Sequence, residues 1–89
     1  MKFSGKQVAA ARELLGITQA ELAEAVGLDW HILSSFESGK SEPRRANLNK
    51  IAAELERRGI AFTNETGIGV HLDFAKAAEY ARSQEEKHP

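Results

Sequence analysis

Gln19-Ala-Glu-Leu-Ala-Glu-Ala-Val-Gly-Leu-Asp-Trp-His-Ile-Leu-Ser-Ser-Phe-Glu37 decides the fold of this 89-residue chain. The stretch predicts two short helices held at a fixed angle around Gly27. Leu22 and Ala23 point inward from the first, Leu33 and Phe36 from the second. Ala23 falls where two helices nearly touch, a position that rejects a larger side chain. Gly27 falls where the chain must turn sharply, and glycine takes a positive φ without steric cost.

Counted from Gln19, the small residue is fifth, the glycine ninth, and the large apolar residues fifteenth and eighteenth. This spacing describes a helix-turn-helix, whose second helix is expected to enter the major groove of double-stranded DNA.

Outward from this stretch, helical periodicity continues on both sides. Residues 5–15 predict a first helix with Val8, Ala9, Ala11 and Leu15 on its apolar face, ended by Gly16. Thr18 and Glu21 form a capping box that opens the second helix. Asp29 caps the third, which continues to about Ser38 before Gly39. A polar loop, Lys40-Ser-Glu-Pro43, leads to a fourth helix near Arg45–Arg58, where Leu48, Ile51, Ala52 and Leu55 repeat at three and four. Gly59 terminates it.

Beyond Gly59 the period changes. Ile60–Thr63 and Ile68–Leu72 alternate as half-buried strands around the turn residues Asn64-Glu-Thr-Gly67. A β-hairpin is expected, with Ile60, Phe62, Ile68, Val70 and Leu72 as its apolar content. A two-stranded hairpin is marginal alone and must cover something. Asp73 is placed to cap a last helix to about Glu86, with Phe74, Ala77, Ala78 and Ala81 on one face. The expected fold is mainly α: a four-helix helix-turn-helix domain over residues 1–59, then a hairpin and C-terminal helix over 60–89.

Composition narrows the classes. With 42% hydrophobic and 28% charged residues, the chain reads as an ordinary globular domain. No apolar run approaches the ~20 residues that span a bilayer, and the first residues lack the core of a secretory signal. Cysteine is absent, which excludes disulfides and thiolate metal sites. A cytoplasmic location without membrane association is expected. The net charge of −1 argues mildly against a nucleic-acid binder, but its distribution softens the objection. Residues 40–58 hold six bases and three acids, and the acidic excess lies in the tail. Such bases also suit a plain solvated helix face.

Residues 5–58 resemble the lambda-repressor/Cro type of helix-turn-helix domain, the XRE family. The resemblance rests on Arg12, Gly16, Thr18-Gln19, Glu21-Leu22-Ala23, Gly27, Leu33, Phe36-Glu37, Gly39-Lys40, Pro43, Leu48, Ile51-Ala52 and Leu55. Gly59–Thr63 followed by Gly69–Leu72 is similar to a tail on some small regulators of this type. The resemblance implies a salt bridge between Arg12 and Glu37 that holds the third helix, and a phosphate grip at Gln19. It also implies backbone contacts at Lys40, Arg44 and Arg45, which set register and affinity without reading sequence.

Base reading would fall to Trp30, His31, Ser34 and Ser35, with Asp29 at the cap. Here the chain departs from the family's usual Gln, Arg, Asn, Ser and Thr. The Trp30 indole donates once and can pack on a thymine methyl or sugar, and His31 can donate or accept to guanine. Trp30 also suits packing on a neighbouring subunit or protein, His31 a plain polar surface, and the two serines close approach. Arg57-Arg58 reads as a pair favoured by the helix C-terminus.

Catalysis finds little support. His31, His71 and His88 lack ligand spacing, and Gly67-Ile-Gly69 is too short to cradle a phosphate. No enzyme activity, metal or cofactor is expected. The chain is read as a DNA-binding transcriptional repressor and homodimer, with Phe62, Val70, Leu72, Phe74, Ala77, Ala78 and Ala81 as candidate interface residues. The alternative is a protein-interaction module, such as an antitoxin whose C-terminal part binds a toxin.

Overall fold

The computed structural model describes residues 3–86; His88 lies outside the described residues. The elements in chain order are α1 (Gly5–Leu15), α2 (Gln19–Val26), α3 (Trp30–Glu37), α4 (Arg45–Arg57), β1 (Ile60–Thr63), β2 (Gly69–Leu72) and α5 (Phe74–Glu86).

Local chemistry sets the helix ends. Ser4 and Gln7 form a capping box at α1, and Thr18 and Glu21 form one at α2. At Gly27, φ is 72°, and its N–H donates back to Ala23 O and Glu24 O, closing the carbonyl end of α2. The Asp29 carboxylate accepts the His31 N–H at 2.8 Å and starts α3.

Val8 and Ala11 of α1, Leu22 and Ala23 of α2, Leu33 and Phe36 of α3, Ile51 and Leu55 of α4, and Ile60 form one buried cluster. Every helix of the first half contributes from a stripe at helical spacing, and the hydrophobic effect orients α3 by burying Leu33 and Phe36. Helix α1 approaches α3 closely at Gly5, where an added Cβ would overlap the carbonyl of Phe36.

The strands pair antiparallel, with Ile60 opposite Leu72 and Phe62 opposite Val70. Phe62, Val70 and Leu72 pack on the chain's own core, so these three expected interface side chains are already half-buried. Phe3 stacks on Phe62 at 4.9 Å and meets Phe36 edge-on at 6.1 Å. The buried Gln7 amide donates to Thr63 O at 3.2 Å, Asn64 Oδ1 at 3.4 Å and Gly69 O at 2.9 Å. One side chain thus serves both the α1 cap and the end of the hairpin.

One expectation is corrected. Ile68 precedes β2 and is 62% exposed, so it is not part of the hairpin's buried content. Helix α5 docks on its own chain through Ala77 and Tyr80, leaving three of its four candidate interface residues uncovered. Phe74, Ala78 and Ala81 are exposed, while Ala77 and Tyr80 are half-buried. The cause lies in α4 and the residue after it. Gly59, at φ 110°, has no Cβ to collide with Ala77 N, which such a Cβ would meet at 3.0 Å. Arg57 and Arg58 place their guanidiniums 4.9 and 5.1 Å from the Tyr80 ring centroid.

The Arg57-Arg58 pair is therefore more than a helix-end charge. Both bond the buried Glu54 carboxylate, at 2.8 Å from Arg57 Nη2 and 2.6 Å from Arg58 Nε. Burial pushes the Glu54 carboxyl up, and the hydrogen bonds from Arg57 and Arg58 override it, leaving it below its ordinary value.

Candidate nucleic-acid interface

With Leu33 and Phe36 buried, α3 presents its other side to solvent. Trp30 and His31 are exposed, and Ser34 and Ser35 are half-buried. Trp30 is 49% exposed and stacks on His31 with ring centroids 4.2 Å apart. This gives the first turn of α3 a flat aromatic face carrying polar edges. Ile32, 38% exposed beside them, adds an apolar contact that the sequence reading missed. Its signal was its position off the Leu33–Phe36 stripe.

A three-helix clamp holds α3. Arg12 Nε and Nη2 donate to the two Glu37 carboxylate oxygens at 2.7 and 2.6 Å. Its Nη1 donates to Ile17 O at 3.1 Å. The pair is largely shielded, with the Glu37 side chain 5% and Arg12 15% exposed. The hydrogen bond to Glu37 raises the Arg12 pKa further above its already high ordinary value, against the lowering effect of burial.

Gln19 completes the clamp, its amide donating to Glu37 Oε1 at 3.0 Å. That bond holds the side chain against α3, and the start of α2 beside it is a further feature able to hold an anion. The N–H groups of Gln19 and Ala20 have no partner among the described residues, and they line an open groove of about 690 Å³ with Arg12 and Trp30.

A second open groove, about 420 Å³, joins His31 and Ser35 of α3 to Arg44 and Asn47 at the start of α4. Arg44 occupies the N-cap position without a side-chain cap bond, and Arg45 follows it, with no acid in the first turn. Two cations at a helix N-terminus oppose the dipole, so an external anion there would be favoured by both. Lys40 is exposed, and its N–H is tied to Ser35 O at 2.9 Å, which keeps it beside α3. The structure thus brings His31, Ser35 and Arg44 to one groove and Gln19 and Trp30 to the other. Asn47 is a further lining residue that the sequence reading missed.

A family model described as Helix-turn-helix matches residues 8–59. The chain belongs to this family, the XRE or lambda-repressor type. No curated protein matches the chain. An XRE-type chain is a DNA-binding regulator, and the matched residues span the buried stripes of α1 to α4 together with the Gly27 turn. The hairpin and α5 lie beyond the match. Among the described residues, no helix is long and apolar enough to cross a membrane, and no group of three or more acids and histidines is placed to hold a metal.

Proposed function

We propose that this XRE-type protein is a sequence-specific transcriptional repressor that lays α3 in the major groove of double-stranded DNA and binds as a homodimer. The observation that carries the reading is the two-sidedness of α3. Leu33 and Phe36 fix it to the core, Arg12 and Gln19 fix its end through Glu37, and Trp30, His31, Ser34 and Ser35 remain on the outer side. Asp29, committed to the helix cap, is the acid at the front of that surface.

Cations stand beside the aromatic turn rather than on it. Lys40, Arg44 and Arg45 supply attraction to phosphates, while the α2 amide groups supply a neutral grip. A domain of this kind represses by occupying its site. One module covers few base pairs, and two related by a two-fold axis read paired half-sites about 34 Å apart.

Selection of bound sequences from random DNA, followed by titration over salt, tests this. An enriched motif of two related half-sites is expected, with affinity falling steeply as salt rises. No enrichment together with a flat salt response overturns it. The second reading, a protein partner such as a toxin held by the C-terminal part, is favoured by one observation. Phe74, Ala78 and Ala81 form an exposed apolar stripe on α5. A stable stoichiometric complex with a partner, lost on Phe74→Asp while DNA binding persists, would support it.

A further inference from the structure

The hairpin leaves an open edge whose pattern fits itself. The Asp73 N–H donates to Gly59 O at 2.7 Å, next to the Ile60–Leu72 pair. Hydrogen-bonded and non-hydrogen-bonded pairs alternate along an antiparallel ladder. Gly59–Asp73, Ala61–His71 and Thr63–Gly69 are therefore the hydrogen-bonded pairs. Val70 and Leu72 aim their N–H and C=O groups away from β1. Among the described residues the sheet has two strands, and no backbone group meets that outer side of β2.

Two exposed side chains flank this edge. Phe74 is 83% and Ile68 62% exposed, the two highest values for large apolar residues among those described. They lie three positions to either side of His71. Three antiparallel self-pairings match outward groups to outward groups: Val70 on Val70, Leu72 on Leu72, or Val70 on Leu72. The last engages both groups of both residues in each copy, and it alone sets position 68 opposite position 74.

We propose that β2 pairs antiparallel with β2 of a second copy of this chain, centred on His71, so that Ile68 of each copy packs on Phe74 of the other. The inference rests on the homodimer reading above and gives it a surface. A foreign strand would have to supply the same spacing by coincidence, whereas a second copy carries it by symmetry, the property of a two-fold interface. Gly69 then faces the Asp73 position of the other copy and leaves room where the chain turns into α5. His71 faces its own symmetry mate in a non-hydrogen-bonded pair, with Cβ atoms about 4.5–5.5 Å apart.

That last distance provides the test, because the chain has no cysteine. Mild oxidation of a His71→Cys variant is expected to link most of the protein into a covalent dimer without DNA. Ala61→Cys is the control: across three strand spacings, roughly 14 Å, its thiols cannot reach one another. Ile68→Lys and Phe74→Asp, both at exposed positions, should each raise the dimer dissociation constant about tenfold or more in sedimentation. Combining them sets opposite charges face to face and should recover much of that loss.

If His71→Cys stays unlinked, or Ala61→Cys links equally, the proposal is overturned. Sedimentation as a monomer at DNA-binding concentrations overturns it too. DNA binding is scored separately, by the selection and salt titration. Cross-linking without DNA binding would sink the repressor reading alone, and DNA binding without cross-linking would sink the interface alone.

Discussion

Glu37, at the end of α3, receives the Arg12 guanidinium through both carboxylate oxygens, at 2.6 and 2.7 Å. With the Gln19 amide on the same carboxylate, helices α1, α2 and α3 meet at one charged group. Removing one partner leaves the other shielded and uncompensated. Arg12→Ala or Glu37→Ala is expected to cost about 3–5 kcal/mol in urea unfolding. A loss under about 1 kcal/mol would show that water takes over the pair and that the clamp is not structural.

Gly5 is predicted to tolerate no side chain. Its Cβ would overlap the Phe36 carbonyl, a backbone atom that cannot swing aside. Gly5→Ala should destabilise by about 1–3 kcal/mol or more, as overpacking does. It should also weaken DNA binding, because relief of the overlap moves α3. Thermal melts and binding titrations on the same variant check both.

Gln7→Leu should loosen the hairpin while leaving α2 and α3 in place. The substitution strips Thr63 O and Gly69 O of the Gln7 amide and removes half of the Ser4 capping box. About 1–3 kcal/mol is expected for the acceptors left without this donor. Amide hydrogen exchange should accelerate in β1 and β2 before it does in α3; uniform acceleration would contradict the local role.

Stability should fall in acid, with Glu54 as a named contributor. Its carboxyl is held below the ordinary value in the folded chain, so the unfolded chain takes up the proton at higher pH. This stabilisation is complete above the ordinary carboxylate range, about pH 4, and drains away as pH falls through and below it. Glu54→Gln should be less stable than the parent at neutral pH and lose less on acidification. An unchanged acid profile in that variant would remove Glu54 from the explanation.

Lys40→Ala and Arg44→Ala should weaken binding to all DNA sequences alike. Each should also lower the steepness of the salt dependence, by about 0.9 for each phosphate no longer neutralised. His31→Ala should instead change which bases are preferred, by about 1–3 kcal/mol at the affected position. An unaltered preference after His31→Ala would place base reading elsewhere on α3, with Trp30 and Ile32 next to be tried.

Features legible in the sequence were those encoded within one turn of chain. Thr18 and Glu21 are three residues apart, and Gly16 and Gly27 act on their own helices, so the helix limits followed from local chemistry. The buried stripe of α3 followed from Leu33 and Phe36. Long-range matches were not legible. Nothing near Gln7 announces that its amide will reach Thr63 and Gly69, and Gly5 reads as an ordinary helix start until Phe36 lies against it. In α5 the periodicity gives two overlapping faces, and the choice of Ala77 and Tyr80 over Phe74 and Ala81 depends on Gly59 and two arginines at the end of α4. Alternation placed Ile68 in phase with Val70, but the strand begins one residue later. The Arg12–Glu37 relationship came from family resemblance, since neither residue alone signals the other.

Both acids of the α3 segment are spoken for before any ligand arrives: Asp29 by the His31 amide and Glu37 by Arg12 and Gln19. The helix also carries no lysine or arginine. Its outer surface therefore offers a polyanion no lysine or arginine, and the pull must come from Lys40 and the first turns of α2 and α4. Capture and choice are then assigned to different parts of one small domain. Changing the aromatic turn of α3 should redirect the protein to a new site without altering how readily it lands on DNA.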